Sequence, residues 1–214
     1  MASTPEQLDT FAPVIWATPF LKSPDWCVRP RTRVAPSAAD QTPDRFNRDT
    51  ISSYDGMQQW LELYQKPAPG SKLITRSISL CKYGPGLMGF PTVCHGGAVL
   101  TMMDEALAFA MVANDMEAAG KNTTDWAATA QTMKAILDAG NPLEVALKDY
   151  MVTAHLDTKF LKPVRCPGVV GVEVTLVENK GHKMRFKGVM KDGEGTPLVI
   201  AEGLFIKVRG SAKI

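Results

Sequence analysis

The chain has little of what marks several common protein classes. Among 214 residues there are only four cysteines, and none forms a Cys-x-x-Cys pair, so zinc and dithiol redox motifs are not indicated. The formal net charge is +2, which argues against the strongly basic surface of a nucleic-acid-binding protein. No uninterrupted apolar run reaches the length of a membrane span. We therefore expect no metal site, no nucleic-acid partner and no membrane span.

The N-terminus also lacks a targeting pattern. Glu6 and Asp9 are acidic, and no Lys or Arg precedes them, unlike in a secretory signal or a transit peptide. The composition, with 45% hydrophobic and 21% charged residues, is typical of one globular domain. These features predict a cytoplasmic globular protein.

The first 66 residues predict an arm followed by a helix. Pro, Ser, Thr and Asp are frequent up to residue 50, as in an irregular segment. Four large apolar side chains then recur at helical spacing, namely Met57, Trp60, Leu61 and Tyr64. We expect a helix over 50–65, and we expect residues 1–66 to pack on a body formed by 67–214.

The body reads as one strand, one long helix, an insertion and four strands. Residues 71–83 alternate in the manner of a strand, and 95–113 carry a wide apolar helical face. Residues 114–148 read as a helical insertion. Four strand patterns follow from residue 150, separated by turn signals, and predict an antiparallel meander. Together they predict an α+β fold in which an antiparallel sheet of five to six strands wraps a central helix.

The start of that helix carries the most informative stretch, "PTVCHGGAVLTMMDEALAFAM". A helix that begins at His-Gly-Gly presents free amide N–H groups, which can hold a phosphate or polarise a carbonyl oxygen. Asp104 follows His95 by nine residues, which is half a turn around the helix and about 13.5 Å along it. A site that uses both groups must therefore combine two copies of the chain.

His-Gly-Gly, Asp104 and Glu105, together with "VTAHLDTKFLKPV" and the last strands, resemble the hotdog-fold acyl-CoA thioesterases of the PaaI/THEM type. The resemblance covers residues 71–210, and the segment 14–66 is similar to fungal members. It implies a sheet that wraps a central helix and a homodimer, or a dimer of dimers, with shared sites. It also implies that coenzyme A enters only as part of the substrate, with no separate cofactor.

The resemblance also implies roles for individual residues. The Gly96 and Gly97 amides would form the oxyanion hole, and Asp104 of the partner subunit would act as general base or as nucleophile. Thr153 would position the water, and His95 would orient the loop or the thioester. Glu105 competes with Asp104 for the acid role, but a step of about 100° prevents both from entering one cleft.

Three further positions are candidates for substrate binding. Gly89 stands where some relatives carry an Asn, so an amide contact to the substrate is missing. Lys159 and Lys162, close to Arg165, are candidates for binding the coenzyme A phosphates, with solvated rim charges as the alternative.

The function predicted from these features is hydrolysis of an acyl thioester, either acyl-CoA or a carrier-bound chain such as a polyketide of secondary metabolism. Two alternatives stay open. One is a hydro-lyase on the same fold that uses His95 with an acid, and the other is an acyl-binding module without turnover.

Overall fold

An antiparallel sheet of seven strands dominates the computed structural model, which describes residues 5–31, 44–120 and 126–209. The strands are β1 (Trp26–Pro30), β2 (Met57–Gln65), β3 (Arg76–Tyr83), β4 (Met88–Phe90), β5 (Val93–Cys94), β6 (Met151–Phe160), β7 (Gly168–Asn179), β8 (Lys183–Lys191) and β9 (Pro197–Lys207). The helices are α1 (Pro5–Thr10), α2 (Thr18–Leu21), α3 (Gly96–Ala119), α4 (Trp126–Asp138) and α5 (Leu143–Ala146). Three short turns complete the fold: the 3₁₀ turns Ile15–Ala17 and Pro85–Leu87, and the π-helical turn Phe46–Ile51.

The strand order is β1-β2-β3-β7-β8-β9-β6, and β4 pairs with β5 separately. This confirms the α+β fold with an antiparallel sheet and a long central helix. The sheet has seven strands because β1 and β2, from the N-terminal region, extend it beyond the predicted five to six. The predicted four-strand meander is wrong in one respect: only β7, β8 and β9 follow one another, and β6 pairs with β9 at the edge.

The predicted helix over 50–65 is wrong, because most of that range is strand β2. Four consecutive residues of β2 are buried, from Trp60 to Leu63. Leu61 and Leu63 pack against the N-terminal helices on one face of the sheet, whereas Trp60 packs on the α3 side. Burial on both faces removes the alternation that marks a strand, so the apolar residues imitate a helical pattern.

Helix α3 lies against the sheet and supplies the centre of the core. Its side chains at Met102, Met103 and Leu107 are fully buried against β7, β8 and β9. Gly203 permits this close approach, because a Cβ there would lie 2.8 Å from Leu107 Cδ1. The distance of α3 from the sheet is thus fixed by packing, and the positions of the side chains on α3 are fixed with it.

The same helix is long and apolar enough to pass for a membrane span, with a mean hydropathy of 1.4 over its most apolar window. Within the protein 56% of that window is buried, and core helices commonly pass this test.

The insertion 114–148 contains the end of α3 together with α4 and α5. Residues 32–43 of the predicted arm and 121–125 of the insertion lie outside the described residues.

Candidate active site

The first turn of α3 is capped by the side chain of His95. Its Nδ1 accepts a hydrogen bond from the Gly97 N–H at 3.0 Å, while the His95 N–H donates to the Leu87 carbonyl. The Gly96 N–H has no acceptor among the described residues, and Gly96 is exposed. The helix start therefore offers the Gly96 amide to a ligand, whereas the Gly97 amide is engaged by His95.

Gly89 sets the position of His95. It lies on β4, and a Cβ at this residue would come within 2.9 Å of His95 Cα and 3.2 Å of its Cβ. Any side chain here would displace the imidazole that caps α3. Gly89 was predicted as a substrate-binding position, and in the structure its contact is with His95.

Asp104 and Thr153 meet within one chain. The Thr153 hydroxyl on β6 donates a hydrogen bond to Asp104 Oδ1 at 3.1 Å. Asp104 is partly buried on α3, and the other carboxylate oxygen remains available for a further donor. The structure thus brings together the predicted acid and the predicted hydroxyl.

A bulge in β6 makes this contact possible. The pairing of β6 with β9 shifts between Thr153 and His155, so Ala154 is the extra residue. Thr153 and Leu156 are three residues apart and would point to opposite faces of a regular strand. Because the bulge re-aims one of them, both line the same cleft.

The cleft beside Asp104 has a volume of about 380 Å³. Its lining combines two carboxylates, two hydroxyls and three apolar side chains: Phe46, Leu100, Thr101, Asp104, Glu105, Thr153 and Leu156. The cleft thus sets apolar surface beside a group of polar side chains, as a site for a substrate with an apolar part and a reactive polar part requires.

The surroundings raise the pKa of Asp104 above its usual value. The largest cause is burial, which disfavours the charged form, and the negative charge of Glu105 acts in the same direction. The hydrogen bond from Thr153 opposes both effects by stabilising the carboxylate. A carboxylate with a raised pKa is a stronger base than one in water.

Glu105 borders the cleft, but both of its oxygens are engaged elsewhere. Asn47 Nδ2 donates to Oε1 at 2.6 Å, and Arg31 Nη1 lies 2.8 Å from Oε2. Arg31 Nε also lies 3.7 Å from an oxygen of Glu62, which is 1% exposed. We name these four residues, Arg31, Asn47, Glu62 and Glu105, the ion-pair network.

Lys159 and Lys162 do not line the cleft. Both are exposed at the end of β6, where the ring of Phe160 lies within van der Waals distance of the position of a Cβ on Gly96. The two lysines are therefore placed close to the helix start rather than close to Asp104.

The helix start and Asp104 are separated within one chain. Asp104 follows Gly96 by eight positions on α3, which corresponds to about 12 Å along the axis. An atom that touches Asp104 is thus out of reach of the Gly96 amide of the same copy.

The N-terminal contribution to the site was not predicted from the sequence. Phe46 lines the cleft, and Asn47 and Arg31 hold Glu105. These contacts join residues far apart in the chain, and the local sequence around them reads only as an irregular segment. The acidic neighbour of Asp104 was the one available signal that a basic or amide partner was needed.

The family model described as the thioesterase superfamily matches residues 92–199, which is half of the chain. That region contains α3 and β6, and with them the whole pairing of Asp104 with Thr153. A curated relative, the verlamelin biosynthesis protein B of Lecanicillium sp, is 26% identical over 165 residues. The alignment covers 74% of this chain and 62% of that protein, so the chain spans less than two thirds of its relative.

Solved structures show weaker likenesses. A mutant thioesterase from Pseudomonas aeruginosa has a TM-score of 0.47 at 14% identity, covering 78% of this chain and 96% of that chain. A hypothetical thioesterase protein with coenzyme A from Streptococcus pneumoniae has a TM-score of 0.46 at 12% identity, covering 75% and 97%. The E. coli PaaI protein from the phenylacetic acid degradation operon has 0.43 at 10% identity, covering 62% and 72%. With TM-scores below 0.5, these likenesses carry no weight in assigning the chemistry.

Proposed function

Because the chain belongs to the thioesterase superfamily, we propose that it hydrolyses an acyl thioester to a free acid and a thiol. The observation that carries this proposal is the partly buried Asp104, hydrogen-bonded to Thr153 at 3.1 Å beside a cleft that apolar side chains line in part. Burial raises the pKa of Asp104, which suits it to accept a proton from water.

The proposed reaction begins with a water that donates a hydrogen bond to Asp104. The carboxylate takes one proton as the water oxygen attacks the carbonyl carbon, and the carbonyl electron pair moves onto oxygen. The resulting oxyanion collapses, the carbon–sulfur bond breaks, and the leaving thiolate takes the proton back from Asp104. Thr153 holds one carboxylate oxygen, so the other faces the water.

The oxyanion needs donors, and the start of α3 in Asp104's own chain lies too far away to supply them. We place them at the start of α3 in a second copy, where the exposed Gly96 amide and the positive end of the helix dipole stabilise negative charge. The Gly97 N–H donates its hydrogen bond to the His95 imidazole in this structure. It can therefore join the oxyanion hole only after the His95 ring turns away.

We place the second copy along β6. This strand ends the sheet, and among the described residues no strand pairs with its outer side. Its ten residues form a long exposed edge, which proteins usually cover. Phe160 and Leu161 are 49% and 41% exposed at the end of this edge. A homodimer across β6 would cover them and bring the two α3 helices together. Two such dimers could also associate into a tetramer.

The thiol half of the substrate is proposed to be coenzyme A or a carrier's phosphopantetheine. Lys159 and Lys162 are exposed next to the helix start and suit the phosphates of either. The likeness to a protein named for verlamelin biosynthesis supports a biosynthetic setting, with a polyketide-type chain as one acyl class. The four free thiols support the cytoplasm as its compartment.

Thiol release from a panel of short, long, aryl and β-keto acyl-CoAs tests the proposed reaction. We expect thiol release with an acid product heavier than the acyl group by one hydroxyl, and we expect Asp104→Asn to abolish it. A product lighter by one water would indicate a hydro-lyase. Tight binding without any product would indicate an acyl-binding module.

A matched pair of substitutions at Gly96 tests the oxyanion donor. Gly96→Pro removes the N–H, and proline is well tolerated at the first helical position after the extended His95. A Cβ at Gly96 meets no atom closer than 3.9 Å. We expect Gly96→Pro to lower kcat about 100-fold, while Gly96→Ala, which keeps the N–H, stays within about 3-fold of the wild type. Equal activity of the two variants would contradict the assignment.

A further inference from the structure

The wall of the Asp104 cleft includes one side chain that the family match does not cover. Phe46 comes from the N-terminal segment, outside residues 92–199, and lines the cleft together with Leu100 and Leu156. Its side chain is 54% exposed although it is a large aromatic group. An exposed aromatic ring beside a carboxylate is apolar surface that a bound apolar group could cover.

The turn that carries Phe46 is anchored by the residue that follows it. Asn47 is 2% exposed, and its Nδ2 donates to Glu105 Oε1 at 2.6 Å and to Asp44 Oδ1 at 2.7 Å. The carbonyl of Asn47 accepts a hydrogen bond from Ser52 Oγ at 2.8 Å, within the same turn. The turn is thus fastened to α3 one residue beyond Asp104.

Arg31, the residue after strand β1, supports the same attachment. It lies 2.8 Å from Glu105 Oε2, and its guanidinium stacks over the Trp60 ring at 4.5 Å from the centroid. Glu105 is therefore held on both oxygens by the N-terminal region. This arrangement explains why a second carboxylate stands next to the proposed base: it anchors the segment that carries Phe46.

We propose that Phe46 is a specificity-determining residue, against which the apolar tail of the acyl group packs. Asn47 is a positioning residue that acts through Phe46. This inference rests on the proposed hydrolysis at Asp104, and it adds that the substrate carries an acyl tail long enough to reach the ring. We expect an acetyl group attacked beside Asp104 to gain little from that contact, because it has no tail beyond the methyl group.

The test compares octanoyl-CoA with acetyl-CoA in the full chain. Phe46→Ala lowers kcat/KM for octanoyl-CoA about 10-fold or more and changes acetyl-CoA by less than about 2-fold, because only the longer tail loses apolar contact. Phe46→Leu, which keeps an apolar side chain, retains most of the preference. Tyr54→Ala is the matched control, since Tyr54 is an aromatic residue that is 94% exposed and does not line the cleft.

Asn47→Ala separates positioning from folding. We expect a smaller shift in the same octanoyl-to-acetyl ratio, and we expect the double variant with Phe46→Ala to shift no further than Phe46→Ala alone. Shifts that add fully would show that Asn47 does not act through Phe46. A loss of stability alone would lower the turnover of both substrates equally and leave the octanoyl-to-acetyl ratio unchanged.

The outcomes separate this inference from the proposed function. If Asp104→Asn abolishes turnover while Phe46→Ala leaves the ratio unchanged or raises octanoyl-CoA turnover, hydrolysis stands and the packing role of Phe46 is overturned. If the wild type hydrolyses neither substrate, calorimetry with non-hydrolysable octanoyl and acetyl thioether analogues still decides. Octanoyl binding weakened about 10-fold by Phe46→Ala supports the role, and unchanged or absent binding overturns it.

Discussion

Asp104 and Glu105 are consecutive carboxylates on α3, yet they lie in different surroundings. Among the described residues, Asp104 accepts a hydrogen bond from one neutral donor, Thr153, and it borders open space in the cleft. Glu105 meets Arg31 and Asn47, so its charge is compensated and its lone pairs are used. A helical step of about 100° is enough to make one residue available for chemistry and the other a structural anchor.

The first prediction tests the difference between the two carboxylates by replacing each of them. Asp104→Asn should lower kcat about 1,000-fold, because the amide cannot accept a proton from water. Glu105→Gln should lower acetyl-CoA turnover less than about 5-fold, because its oxygens make structural contacts. Steady-state thiol release measures both variants, and a larger loss for Glu105→Gln would reverse the assignment.

The second prediction concerns pH and the ion-pair network. Burial is the main reason that the pKa of Glu62 rises from 4.5 to about 7, although Arg31 and Ser79 oppose the shift. The folded state then binds a proton that the unfolded state has released. The stability that Glu62 contributes is therefore fully present below pH 4.5 and falls by about 3 kcal/mol as the pH rises to about 7.

Urea unfolding at several pH values measures this slope. Glu62→Gln should flatten the fall between pH 4.5 and 7, since the amide does not titrate. Equal pH slopes for the wild type and Glu62→Gln across this window would contradict the raised pKa of Glu62.

The third prediction breaks the network at Arg31. Arg31→Met removes the cation that pairs with Glu62 and Glu105, although Arg29 still attracts the Glu62 charge. It should lower the free energy of unfolding by about 2 kcal/mol, less than for a fully buried pair. Arg31 remains 22% exposed. Lys134 pairs with Asp138 on the surface at 46% and 62% exposure, so Lys134→Met should cost less than about 0.5 kcal/mol. Equal losses in urea titrations would show that the network is an ordinary surface contact.

The fourth prediction concerns the effect of Thr153 on the pKa of Asp104. Thr153 lowers the pKa of Asp104 by donating to its carboxylate, so Thr153→Val should raise that pKa further. The acidic limb of the kcat/KM profile should move to higher pH, and turnover should fall about 10-fold. Thr153→Ser keeps the hydroxyl and should leave the acidic limb in place. If the limb does not move in Thr153→Val either, Thr153 does not set the pKa of Asp104.

The start of α3 and the last three strands could be predicted from the sequence, because a capped helix and alternating strands leave local patterns. His95, Gly96 and Asp104 were found from their spacing, and the separation between them followed from helix geometry. The roles of Asp104 and Gly96 in catalysis stay predictions.

Other features depend on contacts that no local pattern records. β2 is buried on both faces, so its apolar residues lose the alternation of a strand. The bulge at Ala154 arises from the pairing of β6 with β9. The contact of Asn47 with Glu105 joins residues 58 positions apart. The engagement of the Gly97 amide by His95 depends on a side-chain rotamer.

The central claim is that each site combines Asp104 of one copy with the α3 start of another. Asp104→Asn and Gly96→Pro, each nearly inactive alone, should be mixed after dissociation and allowed to reassociate. Half of the dimers are then mixed, and each has one intact site, so about a quarter of wild-type activity should return. If the mixture stays as inactive as its components while mixed dimers form, the two groups do not share a site and the account is wrong.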